Sequence, residues 1–259
     1  MSFDASVPNA ARVYDFFLGG KDNYASDREL AQKILAILPD TADVCRDNRG
    51  FLQRAVRFLA GEAGIRQFLD IGTGLPTNGN VHQVAQETAP ASRVAYVDYD
   101  PVVLAHARAL LASDRDVIAA KGDLRSPEVI LADADVRQLI DFSQPVAVLI
   151  VAVLHFVADA DRPYEAVRTI VDALPSGSYL VLSQSTPDEV PDDVTVALKD
   201  AYSGASAQDF PRSSEEISRF FDGLELVDPG LVNVTLWRPD RLSDTPRRSL
   251  IYGGVGLKP

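Results

Sequence analysis

The stretch Phe68-Leu69-Asp70-Ile71-Gly72-Thr73-Gly74-Leu75-Pro76-Thr77-Asn78 constrains the chain most. An apolar run reaches a carboxylate, then glycines one residue apart, then polar residues suited to open a helix. The pattern reads as strand, tight turn and helix N-terminus. Glycine allows a close backbone approach that a Cβ would forbid, and the helix start behind it offers N–H groups without intrahelical partners. An ordinary strand-to-helix turn is the plainer alternative. The dinucleotide fingerprint G-x-G-x-x-G is not met, because Thr77 stands where its third glycine belongs. Asp70, two residues before the first glycine, would repel a pyrophosphate and suits a ligand that is cationic or rich in donors.

From Gln67 onward strands and helices alternate, which predicts a parallel sheet. The expected strands are about 67–71, Arg93–Asp98, about Asp116–Ala120, Val146–Val153 and Tyr179–Ser183, then two more near Leu224–Asp228 and Ser249–Leu257. The fourth is apolar throughout, as a strand covered on both faces should be. Helices are expected at about Thr77–Glu87, from Pro101 on, within Val129–Ile140, at Pro163–Leu174, at about Asp193–Tyr202 and from Ser213, with Glu216 as capping partner. Asp240 to Pro246 reads as a polar connection.

Residues 1–64 read as a helical N-terminal cap before a domain over 65–259. Ser26-Asp27-Arg28-Glu29 has the form of a capping box, followed by Leu30, Ile34, Ile37 and Leu38 at helical spacing and by Pro39 as a stop. A second helix is expected from about Ala42 to Ala60, with Leu52, Ala55, Val56 and Leu59 as its buried stripe. Arg46, Arg49 and Gln53 on another face are either solvated or a donor set facing a carboxylate ligand. Tyr14, Phe16 and Phe17, before the turn Gly19-Gly20, are either core anchors or part of a lid over a ligand.

The formal net charge of −12 over 259 residues shows no basic footprint for nucleic acid. Cys45, the single cysteine, excludes an intrachain disulfide and a Cys-rich metal site, and no Cys/His cluster suggests zinc. Met1–Ala11 lacks a signal-peptide pattern. Val146–Ala158, the longest apolar stretch, is interrupted by His155 and falls short of the ~20 residues that span a bilayer. A cytoplasmic protein is expected.

In an open α/β sheet, ligands bind beyond the carboxyl ends of the strands, where the strand order switches. Strand 2 ends in Asp98-Tyr99-Asp100, and an acid there can accept both hydroxyls of a ribose. Strand 3 ends in Asp123-Leu124, where a carboxylate can accept from an exocyclic amine such as adenine's. Strand 4 ends in Val153-Leu154-His155. The plainer reading makes each acid a helix cap or turn residue, with Asp98 and Asp100 capping the helix at Pro101.

Asp70-x-Gly72-x-Gly74, Val97-Asp98-x-Asp100-Pro101, Gly122-Asp123-Leu124, the strand before Leu154-His155, and Leu174-Pro175-Ser176-Gly177-Ser178-Tyr179-Leu180 resemble, in order, the motifs of class I S-adenosylmethionine (SAM) methyltransferases. The segments Tyr14-Asp15-Phe16-Phe17-Leu18-Gly19-Gly20-Lys21-Asp22-Asn23-Tyr24, Asn48-Arg49-x-Phe51-Leu52 and Tyr252-Gly253-Gly254-Val255-Gly256 resemble a bacterial family of such enzymes long catalogued as a domain of unknown function. The resemblance implies a Rossmann-like, mostly parallel sheet of seven strands with the last antiparallel, helices on both faces, and the N-terminal helical cap. It implies SAM as cofactor, held by Asp70, Gly72, Thr73, Gly74, Asp98, Tyr99, Asp100, Asp123, Leu124 and Val153. Tyr14, Lys21, Asn23 and Arg49 are expected to enclose SAM or its carboxylate. The chain departs from the pattern at Pro76-Thr77, where the third glycine is absent, and at Pro145-Val146, where many relatives carry an acid.

Methyl transfer from a sulfonium mainly requires an aligned nucleophile and excluded water. A base helps when the nucleophile is a hydroxyl or an ammonium. His155, after strand 4, is the candidate base; local packing is the alternative. No Asn/Asp-Pro-Pro-aromatic tetrapeptide follows strand 4, which argues against nucleobase amino groups, and Cys45 is misplaced for pyrimidine carbon methylation. The expected acceptor is a small molecule, with a protein acceptor as the other choice. A SAM-binding regulatory protein without transferase activity would carry the same site acids, and product formation separates the two. A nicotinamide-dependent dehydrogenase is opposed by Asp70 and the missing third glycine.

Overall fold

A computed structural model describes residues 4–77, 79–111, 114–188, 190–240 and 249–259. Three helices come first, α1 (Ala10–Phe17), α2 (Ala25–Ile37) and α3 (Thr41–Gly61). The alternating part follows as β1 (Gln67–Ile71), α4 (Val81–Thr88), β2 (Arg93–Asp98), α5 (Pro101–Leu111), β3 (Val117–Lys121), α6 (Pro127–Ala132), α7 (Ala134–Leu139), β4 (Ala147–Val151), α8 (Pro163–Asp172) and β5 (Tyr179–Ser185). The chain ends with α9 (Asp192–Ala201), α10 (Ser214–Ser218), β6 (Glu225–Leu226), β7 (Val232–Asn233) and β8 (Ile251–Leu257).

The sheet order is β3-β2-β1-β4-β5-β8-β6, with the short β7 pairing alongside β8. Strands β1 to β5 are parallel, and β8 is antiparallel to β5, β6 and β7. This is the Rossmann-like arrangement expected, with β7 as an added bridge of strand. The order reverses between β1 and β4, so their carboxyl ends diverge into a crevice.

Alternation along each strand feeds two apolar layers. Phe68, Val94, Tyr96, Ala147 and Leu149 face α3, α4 and α5, together with Trp237. Leu69, Ile71, Ala95, Val97, Val148 and Ile150 face α6, α7, α8 and α10. Phe51 of α3 meets Trp237 edge-on at 5.5 Å. The glycines of β8 admit these contacts, because a Cβ at Gly253 would stand 2.9 Å from the Phe51 ring and one at Gly256 2.9 Å from that of Phe221.

Helix α3 serves two layers. Leu52, Ala55, Val56 and Leu59 pack on the sheet, whereas Cys45 joins Val13, Phe17, Leu30 and Ile34 in a separate cluster under α1 and α2, which Leu198 and Tyr202 also reach. The helical cap is therefore α1, α2 and the start of α3, with α9 against it, and the boundary expected at residue 64 lies behind a helix that belongs to both parts.

Several expected element boundaries shift, each for a local reason. Helix α2 is capped at Tyr24 rather than at Ser26: Asp27, not Glu29, accepts from the cap N–H, that of Tyr24, at 2.8 Å, so the box lies two residues earlier, and Ser26 bonds Ala5 instead. Helix α4 begins at Val81 because Asn80 is its cap, with Gln83 returning to the Asn80 N–H at 2.9 Å. The expected helix over 129–140 is two, since Asp133 ends α6 and caps α7. The polar connection expected over 240–246 lies, beyond Asp240, outside the described residues. Among the described residues no helix is long and apolar enough to cross a membrane.

The cap is held by buried charge. Asp27, fully buried, accepts from the Arg12 Nε at 2.8 Å and the Asn9 N–H at 2.8 Å. Removing one member of such a pair strands the other charge in a poorly solvated place. Asp27→Ala is expected to destabilise the fold by about 3–5 kcal/mol, read from the urea unfolding midpoint; a loss below about 1 kcal/mol would show that apolar packing alone holds the cap.

Candidate functional site

The loop after β1 is built by its glycines. Gly72 and Gly74 have φ of 72° and 66°, in the left-handed region that suits glycine. The Gly72 N–H donates to the Val97 carbonyl at 2.7 Å, and the Gly74 N–H donates to Asp98 Oδ2 at 3.0 Å. Asp98 Oδ1 accepts from the Asp100 N–H at 2.9 Å. A Cβ on Gly72 would stand 2.5 Å from Val153 Cγ2, so the loop after β1 and the turn after β4 touch.

Beyond these ends lies a cavity of about 240 Å³. Of the residues expected at a site, Tyr14, Arg49, Asp70, Gly72, Thr73, Gly74, Asp98, Tyr99, Asp100, Val153 and His155 line it together. The other four are placed elsewhere. Lys21 is exposed. Asn23 donates to Asp15 Oδ2 at 2.9 Å and so fixes a lining carboxylate from behind. Asp123 is bound by Arg125, with Nε to Oδ1 at 2.9 Å, and Leu124 is buried in the layer facing α6 and α8.

Asp70 sits on the cavity floor, and burial pushes its carboxyl up to about 6 against the opposing pull of Arg49. Asp98 is raised as well, again by burial. Asp100 does what the plainer reading assigns it: Oδ1 accepts from the Val102 N–H at 2.7 Å and caps α5. Its other oxygen accepts from Asn9 Nδ2 at 2.7 Å, which ties the start of α1 to the end of β2.

Arg49 reaches from α3 to Gly79 O at 3.2 Å and Asn80 Oδ1 at 3.0 Å. Its Nε is buried without a hydrogen-bond partner, and so is Thr77 Oγ1. Buried donors are rarely left so, and both residues line the cavity. Tyr14 donates to Cys45 O at 3.0 Å and accepts from Asn48 Nδ2 at 3.0 Å. Asn48 Oδ1 accepts from Ser183 Oγ at 2.6 Å, and Ser183 Oγ accepts from the Ala152 N–H at 3.1 Å. That chain runs from the cap to the β4 turn, where Ala152 holds φ at 57°.

His155 is buried, and burial, with Arg212 adding to it, pushes its imidazole down to about 3. Its Nδ1 accepts a long contact, 3.4 Å, from the Ser185 N–H. The ring is thus neutral near pH 7, with its proton on Nε2. Asn48 and Asp209 line the cavity without having been singled out as site residues. Asn48 stood in a quoted motif beside Arg49. Asp209 follows α9 in an irregular stretch that has no periodicity to mark it.

The whole chain, residues 1–259, matches the profile of a family described as S-adenosyl methyltransferase. A DUF574 family protein from Streptomyces avermitilis MA-4680 is 41% identical and superposes with a TM-score of 0.94 over 99% of each chain. A Thermobifida fusca YX protein assigned to the methyltransferases is 45% identical, with a TM-score of 0.91 over 98% of this chain and 96% of that one. Human N-acetylserotonin methyltransferase, crystallised with SAM, superposes at a TM-score of 0.52 and 13% identity over 97% of this chain and 63% of its own, a likeness of fold alone. Among curated proteins none matches.

Gly72→Ala brings a positive φ and a clash with Val153 together. The expected loss is about 1–3 kcal/mol of stability, measured by chemical denaturation; an unchanged midpoint would show that the two turns do not depend on their contact.

Proposed function

Because the chain belongs to the S-adenosyl methyltransferase family, we propose that it transfers a methyl group from SAM to a small-molecule acceptor bound in the cavity between β1, β4 and the cap. The observation that carries this reading is the buried, unpartnered Arg49 Nε at the glycine loop, beside the buried Asp70. SAM, the cofactor of the family, presents a carboxylate and an ammonium on one carbon, and these two groups need a guanidinium and a carboxylate side by side.

The residues present fit the cofactor. Asp70 takes the ammonium. Arg49, with Thr77, takes the carboxylate, and Thr73 and Gly74 form the loop that the bound cofactor lies against. Asp98, already fixed by two backbone N–H groups, accepts the ribose hydroxyls with its remaining lone pairs. Tyr99 offers an exposed ring face at the rim for the base. Tyr14 and Val153 close the wall on either side, and Asp100 acts by holding α1 and α5 in place. When bound, SAM supplies an activated methyl carbon and a neutral thioether leaving group.

His155, neutral and with Nδ1 engaged, orients the acceptor as a hydrogen-bonding group and does not take up a proton. The cap and α9 keep water away from the reacting atoms, which strengthens every charge interaction within. A cytoplasmic location belongs to the same proposal.

Titration calorimetry with S-adenosylhomocysteine tests the cofactor site, with NAD as control. Binding of the first and not the second is expected; no binding of S-adenosylhomocysteine by folded protein would overturn the reading. Arg49→Ala is expected to weaken affinity about tenfold or more, the size of one charge-assisted hydrogen bond, and Lys21→Ala to leave it within about twofold.

The ammonium requires ionised Asp70, so protons compete with it. Affinity is expected to fall as pH drops through about 6, by at most about tenfold per unit for a single proton. Asp70→Asn should bind weakly at every pH and lose that slope. A pH-independent affinity in the parent protein would remove Asp70 from the site.

A further inference from the structure

Of the carboxylates lining the cavity, Asp209 is neither assigned to the cofactor, as Asp70 and Asp98 are, nor engaged in bracing the cap, as Asp15 and Asp100 are. Asp209 lies in the irregular segment after α9, which crosses the carboxyl ends of β4 and β5. The segment is fixed on both sides of Asp209. The Phe210 N–H donates to His155 O at 2.7 Å, and the Arg212 N–H donates to Ser185 O at 3.2 Å. The Arg212 guanidinium donates to Leu154 O and to Val157 O, each at 2.8 Å. Upstream, the Ser206 N–H donates to Pro8 O at 2.8 Å. Asp209 therefore lines the cavity from a braced strap.

Its surroundings are apolar and poor in positive charge. Ile34, Phe156, Leu198, Tyr202 and Pro211 line the same cavity. Phe156 and Tyr202 form a tilted aromatic pair, 5.7 Å between ring centroids. Ser185 stands beside Asp209. Arg49 is the only arginine or lysine among the described lining residues, and the cofactor carboxylate occupies it. An anionic acceptor would find no counter-charge here.

We propose that Asp209 takes the proton from the methyl acceptor, at a subsite that receives an uncharged or cationic, largely apolar small molecule with one O–H or N–H nucleophile. This rests on the cofactor reading above. The acceptor's oxygen or nitrogen forms a bond to the methyl carbon, the sulfonium S–C bond breaks with its electron pair left on sulfur, and the acceptor's proton passes to an Asp209 carboxylate oxygen. Burial pushes that carboxyl up to about 7, which matches a base that works near neutral pH.

The test uses the full-length protein with 2-naphthol, phenethylamine and 2-naphthoate as uncharged, cationic and anionic probes. Calorimetry first shows that S-adenosylhomocysteine binds; if it does not, the cofactor reading fails and this inference falls with it. On the loaded protein, 2-naphthol or phenethylamine is expected to bind and 2-naphthoate is not. With SAM, the bound probe should gain one methyl by mass, at a rate that rises with pH through a midpoint near 7 and levels off above it. Which probe is methylated distinguishes the O–H from the N–H acceptor.

Asp209→Asn is expected to slow transfer about 100-fold and abolish the pH step, with affinity for S-adenosylhomocysteine within twofold as proof of folding. Asp209→Glu, which keeps a carboxylate, should retain more activity than Asp209→Asn. Transfer by Asp209→Asn within threefold of the parent protein would overturn the role of Asp209, as would probe binding with no methylated product. Preference for 2-naphthoate, or binding of none of the three, would overturn the assignment of the subsite.

Discussion

The arrangement depends on a charge taken out of water and fully compensated. Asp27 is inaccessible to solvent, and isolation there would cost several kcal/mol. It is satisfied only where Arg12, the Asn9 N–H and the Tyr24 N–H converge on it. That convergence fixes α1 against α2. Asn9 then spends its side chain on several neighbours: its oxygen accepts from the Ala11 and Arg12 N–H groups at the start of α1, and its nitrogen donates to Asp100 and to Ser206 Oγ. Asp100 caps α5 directly after β2. The first helices of the chain are thereby indexed to the strand ends, and α1 comes to rest over the glycine loop, with Ala11 Cβ 3.8 Å from where a Cβ of Gly74 would be.

A second, neutral line of hydrogen bonds performs the same service on the other wall. Tyr14, Asn48 and Ser183 connect the cap to the Ala152 N–H. A non-glycine residue in the left-handed region carries strain of roughly 1–3 kcal/mol. The strain persists because both Ser183 Oγ and the Ser183 carbonyl accept that N–H. The turn it produces aims Val153 at Gly72 and sets the direction of the chain toward His155. Backbone conformation that would be unstable alone is thus held by a polar network beside the cavity.

Most of the sheet is legible in the sequence because a buried parallel strand leaves a run of apolar residues, and because the runs of β1 and β2 stop at an acid. β1 and β2 lie over the expected residues, and the acids at Asp70 and Asp98 mark their ends on one side of the sheet. Helix starts are less legible, since capping chemistry competes among neighbours: Tyr24, Ser26 and Asp27 all offer polar atoms, and only the tertiary position of Asp27 decides between them. Edge strands β6 and β7 are two residues each, too short to impose a period. The line between site and scaffold is least legible. Lys21 and Asn23 sit in one motif, yet Lys21 faces solvent and Asn23 braces Asp15. Asp209 reaches the cavity through tertiary bonds at Phe210 and Arg212 that no local pattern announces.

Helix α3 carries a consequence of another kind. Its first half walls the cavity with Cys45, Asn48 and Arg49, and its second half is a pillar of the sheet core. One unbroken helix thus joins the cavity wall to the sheet core. Families whose lids are detachable modules can diversify by exchanging them whole. Here an exchanged N-terminal segment would have to replace Phe51, Leu52, Ala55, Val56, Leu59 and Ala60, which α3 contributes to one apolar layer of the sheet. A substitution on the cavity side of this helix is therefore made on a segment whose other half the sheet core requires.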